Sequence, residues 1–105
     1  MNIPETILNK VRIAMKLQPE AFESYLKDLE AEGKVYVKSF ILDQEAEETV
    51  INLCVQLYVQ YQLFSKIEYE EISQDKLETL HSIINTQNSV YQKKNQLLAK
   101  GARFI

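Results

Sequence analysis

Glu78 and His81 stand one helical turn apart in Glu78-Thr79-Leu80-His81, the spacing with which a helix turns a carboxylate and an imidazole toward one metal ion. A carboxylate-rich metal site of that kind needs a second such pair and two further inward glutamates. The chain has a single His, so His81 is expected to be solvated or to cap a helix end. Cys54 lies in an apolar run, where a free thiol usually serves as a small buried hydrophobe. A nucleophilic thiol needs an adjacent base, and His81 is the sole imidazole. No Gly-rich loop ending in Lys-Ser or Lys-Thr is present to cradle a phosphate. The chemistry left is binding. No catalytic residue, metal ligand, cofactor or small-molecule substrate is expected.

Charge marks where binding would occur. Residues 1–42 hold six bases and six acids, while residues 43–81 hold nine acids against Lys66 and Lys76. Residues 82–105 hold Lys93, Lys94, Lys100 and Arg103 and no acid. An acidic middle with a basic end suits head-to-tail or partner contacts better than a surface that coats nucleic acid. The bland reading of the basic end is compensation of a helix dipole, worth tenths of a kcal/mol per charge.

The elements that must carry these groups follow from punctuation and period. The 105 residues suit one domain, and 2 Gly and 2 Pro leave so few break points that long helices are favoured over a many-turned β fold. The longest apolar run is far short of the roughly 18 residues of a membrane span. MNIPETILNK lacks the basic start and apolar segment of a signal peptide, and Cys54 alone makes no intrachain disulfide. A cytoplasmic protein without membrane contact is expected.

Ile7, Leu8, Val11, Ala14 and Met15 give the first helix an apolar face. Pro19 stops that helix near Leu17 and begins the next, whose stripe is Phe22, Leu26 and Leu29. Gly33 reads as the glycine just past a helix end. The β-branched alternation of Val35, Val37 and Ile41 then predicts a strand, although Gly33, Tyr36, Val37 and Phe40 also keep helical spacing. Asp43 is placed to cap a third helix with the stripe Ala46, Val50, Leu53, Cys54, Leu57, Tyr61 and Phe64. Residues 65–73 read as a connection in which Ile67, Tyr69 and Ile72 pack down in extended form. Ser73 or Asp75 then caps a last helix reaching Lys100. The second half of that helix, QNSVYQKKNQ, is mostly polar and is expected to project or to pair with another subunit.

Ile13, Leu17, Phe22, Leu26, Leu29 and Val35, with Gly33 before the alternating segment, resemble the core positions of a winged-helix domain across residues 13–37. The resemblance implies a helix-turn-helix whose second helix presents Gln18, Glu20, Glu23, Ser24, Lys27, Asp28 and Glu30, with Lys34 and Lys38 on a wing. That face carries four acids against one base, whereas phosphate contact is made by Lys and Arg. Any DNA contact would then be weak and carried by Lys34, Lys38 and the basic end.

A second resemblance runs along most of the chain. VRIAMKL, YLKDLEAEGKVYVKSF and AEETVINLCVQLYVQYQLF follow the helix order of small all-helical head–tail connector proteins of tailed phages, with Tyr36 and Tyr58 at matching places. The arginine that pattern has soon after the second tyrosine is absent, and Gln60 and Gln62 stand there. The resemblance implies a structural subunit of a ring whose copies join acidic face to basic face.

The expectations are therefore these. The fold is mostly α, a compact four-helix domain with at most a small β-wing near residues 34–42. Residues 1–42 form a helix-turn-helix-like half, and residues 43–105 a two-helix half with a protruding basic end. The expected function is a non-enzymatic winged-helix-like adaptor or regulator that binds a protein partner, binds nucleic acid weakly and self-associates. The alternatives are a ring-forming connector located in a virion and a small acidic inhibitor or immunity-type protein. The binding residues would be Gln18, Glu20, Glu23, Ser24, Lys27, Lys34, Lys38, Lys93, Lys94, Lys100 and Arg103.

Overall fold

The computed structural model describes residues 3–103, with side chains described as far as Leu98. Four helices follow one another: α1 (Glu5–Ala14), α2 (Pro19–Phe40), α3 (Glu48–Lys66) and α4 (Glu70–Arg103). There is no strand among the described residues. The mostly apolar α3 lies in the middle and packs against α1, α2 and α4. Its buried residues include Ile51, Cys54, Val55, Tyr58, Val59 and Leu63. Val11, Phe22, Leu29 and Val37 close on it from α1 and α2, and Leu80 and Ile84 from α4.

Two helix ends share one device. Lys16 and Glu68 adopt φ of 57° and 62°, each as the residue just beyond the helix cap. The Leu17 N–H then reaches the Arg12 carbonyl at 3.1 Å, and the Tyr69 N–H reaches the Phe64 carbonyl at 3.0 Å. This is the Schellman arrangement, which satisfies carbonyls left over at a helix end. At the second end the apolar contact that often accompanies it is present as stacked Phe64 and Tyr69 rings. A side chain at positive φ costs stability that glycine does not. Lys16→Gly and Glu68→Gly should therefore each stabilise the fold by about 1 kcal/mol. Chemical denaturation reads this directly, and a loss of stability in both variants would contradict it.

Residues 34–40 are helical, a correction to the expected strand. Gly33 does not have positive φ and ends nothing. It is buried inside α2, where an added Cβ would lie 2.9 Å from Cδ1 of Tyr58. The glycine lets α2 and α3 approach, so packing rather than a turn selects it. Burial shows the period as well: Val37 is fully buried while Val35 is 72% exposed. On a strand these two would share a face; on a helix they do not.

Other boundaries move for equally local reasons. The Asp43 side chain accepts the Glu45 N–H at 3.0 Å, closing a turn in the linker instead of capping α3, which begins five residues later. Ser73 and Asp75 are not caps, because α4 already starts at Glu70. Ser73 is buried within α4, and its hydroxyl donates to the Tyr61 carbonyl at 2.8 Å. Ile67 and Tyr69 sit in the tight turn between α3 and α4, and Ile72 is on α4 itself, partly exposed. No extended segment packs down there.

The expected compactness also fails. The radius of gyration is 17.5 Å, against about 13 Å for a compact domain of this length. The molecule measures 63 × 26 × 18 Å because α4, 34 residues long, outruns the body it packs on.

Candidate functional site

Cys54 is fully buried, and burial raises its thiol pKa above the ordinary value, which disfavours the thiolate that would attack. Glu78 is exposed on α4. His81 is half-buried on α4 and caps no helix end. Its Nε2 is hydrogen-bonded to the Tyr36 hydroxyl at 2.7 Å, and its ring meets Tyr36 and Phe40 edge-on. No cluster of three or more His, Cys, Asp or Glu with the geometry to hold a metal occurs among the described residues. No described helix is long and apolar enough to cross a membrane.

Behind Tyr36 the aromatic cluster continues to Tyr58 and Tyr61. The Tyr58 hydroxyl donates to Glu32 at 2.7 Å and accepts from Gln62 at 3.2 Å. Burial, with the bond to the Glu32 carboxylate adding to it, pushes Tyr58 up to about 12 from 10.0. Burial likewise raises Tyr25 and Tyr36. These phenols stay neutral and structural. The folded state favours the neutral form of Tyr58, so its contribution is complete below pH 10 and is lost as pH rises through about 12. A shift of this size is worth on the order of 2–3 kcal/mol. Unfolding free energies measured from pH 9 to 12 should fall steeply in the native chain and less steeply in Tyr58→Phe. Equal slopes would show that Tyr58 does not carry the effect.

The expected binding residues divide into two groups. Glu20, Glu23, Ser24, Lys27, Lys34 and Lys38 are all exposed and recur at spacings that place them on one strip of α2, opposite Phe22, Leu29, Gly33 and Val37. Gln18 precedes that strip as the N-cap residue. Acids lead the strip and lysines end it, the arrangement that a helix dipole favours.

Lys93 and Lys94 form the second group, exposed on α4; the side chains of Lys100 and Arg103 lie outside the described residues. Leu80 and Ile84 are buried, but every described residue from Gln92 onward is exposed. Val90, Leu97 and Leu98 are 58%, 70% and 64% exposed. Ile84, Tyr91 and Leu98 are seven residues apart, so one stripe of α4 runs from buried Ile84 through half-buried Tyr91 to exposed Leu98.

Between the two groups lies the acidic linker. Asp43 lines a hollow of about 170 Å³ with Lys34 and Lys38, and a groove of about 400 Å³ with Val90, Tyr91 and Lys94. Sequence reasoning missed Asn88, which holds this region together. Its side-chain amide donates to the Phe40 carbonyl at 3.0 Å, and its oxygen accepts the Leu42 N–H at 2.9 Å. The signal was unreadable because the end of α2 had been sited at Gly33, seven residues too early for Asn88 to be its partner. Compared with protein-family models, curated proteins and solved structures, the chain matches none of them.

Proposed function

We propose that this chain is a structural subunit that joins head to tail into a ring, in the manner of the small head–tail connector proteins of tailed phages whose helix order it resembles. The observation that carries this reading is the unbroken α2, which runs from Pro19 through Gly33 to Phe40. The winged-helix resemblance rests on a strand there, whereas the connector resemblance rests on a short helix, a longer one ending in an aromatic-rich turn, a buried one ending near a Tyr, and a final helix. The reading is further supported by the free end of α4, where exposed leucines and lysines extend beyond the core. A helix end of this composition is suited to contact with another chain.

Light scattering of the purified chain tests the proposal. The expected mass is that of a closed ring of many copies. Truncation after Val90 should return a monomer whose helical body, judged by far-UV circular dichroism and a cooperative melt, is retained. A full-length chain that stays monomeric or dimeric across the accessible concentration range would overturn the ring and favour the adaptor.

A further inference from the structure

The groove between the acidic linker and α4 is lined by Asp43, Glu45 and Glu47 on one side and by Val90, Tyr91 and a single base, Lys94, on the other. Glu45 and Glu47 are exposed beside it, and Ala46, Val50 and Tyr91 form half-buried apolar surface. No base occurs from Ser39 to Ser65, so the linker side of the groove is purely acidic. The end of α4 has the complementary character. Leu97 and Leu98 are largely exposed, Lys93 precedes them, and no acid follows Glu78 in the sequence.

We infer that the α4 end of one copy seats in the acidic groove of the next, Leu97 and Leu98 against Ala46 and Val50, with Lys93 facing Glu45 and Glu47. This rests on the ring reading and names its joint. Leu97 and Leu98 cannot fold back into the groove of their own chain, because α4 is one continuous helix that leaves the groove after Lys94 and runs away from it. Pairing of two α4 ends with each other would set bases against bases with no acid to separate them, a like-charge contact that costs binding energy. A donor end and a distinct acceptor groove make the contact heterologous, so every copy has one of each, and successive contacts form a ring where the rotation between copies closes.

Charge exchange tests the joint. Lys93→Glu alters the donor alone, since Lys94 lines the groove of its own chain, and Glu45→Lys with Glu47→Lys alters the groove; all three residues are exposed, and far-UV circular dichroism checks that the fold is kept. Each change alone should raise the concentration needed for assembly at least tenfold by light scattering. The donor and groove changes combined in one chain should restore assembly, and Leu97→Gln with Leu98→Gln should give monomer with unchanged helicity. If the native chain forms rings and the altered chains do so equally well, the joint lies elsewhere and the ring reading survives. Loss of assembly without rescue in the combined chain would also overturn the groove as acceptor. A native chain that never assembles removes both.

Discussion

Gly33→Leu should fail to fold, leaving a chain without a cooperative thermal transition. Even a bare Cβ at this position would lie 2.9 Å from the Tyr58 ring and 3.4 Å from a methyl of Val55, inside ordinary contact. Tyr58 cannot swing away freely, because it is 4% exposed and its hydroxyl is held by Glu32 and Gln62. Leucine adds three more carbons to that contact and forces α2 off α3, the largest interface available to α2. Gly33→Ala is the sharper measurement. Alanine gains about 1 kcal/mol in helix propensity, while forced overpacking costs about 1–3 kcal/mol. The buried, doubly bonded ring puts the cost at the upper end, so a net loss of about 2 kcal/mol is expected. A melting temperature raised by Gly33→Ala would show that the two helices yield more easily than this packing implies.

Leu80→Ala should destabilise the chain by about 3–5 kcal/mol, the range for deleting a leucine from a core that relaxes only partly. Leu80 is fully buried and, with buried Ile84 and half-buried Ile83, anchors α4 on the body. Total stability for such a domain is on the order of 5–15 kcal/mol, so the variant should melt roughly 12–25 °C lower. Leu97→Ala, the same deletion at a site 70% exposed, should change monomer stability by less than about 0.5 kcal/mol. The contrast between the two leucines separates what holds the fold together from what stands outside its core. A comparable drop in both would mean that the α4 end is packed in the monomer.

Four helices in this order were legible because apolar residues recur at three and four positions and because Pro19 and the polar linker interrupt them. Gly33 was the point of failure, and the reason is physical. A glycine is selected by a left-handed backbone or by close approach of another element, and only the second depends on a residue, Tyr58, that lies 25 positions away. The segment after it offered two periods at once; exposed Val35 and buried Val37 show which one holds. Caps failed for a related reason. Asp43 bonds within the linker in a way that does not start a helix, and the Ser73 hydroxyl meets a carbonyl of α3. Of the binding residues, the strip on α2 and the exposed lysines of α4 could be read from spacing and charge. The groove could not, since it joins the linker to α4 across more than forty positions and depends on Asn88 holding the end of α2.

The order of packing bears on how the molecule comes into being. Each principal interface joins helices that are consecutive in the chain, α2 with α3 and α3 with α4. Contacts between near neighbours in sequence close small loops, and chains built from them fold in microseconds to milliseconds. Folding of one copy is then finished long before a second copy arrives at ordinary concentrations. Whatever larger object forms is made by collision of completed parts, so its rate should rise steeply with concentration while the rate of subunit folding stays constant.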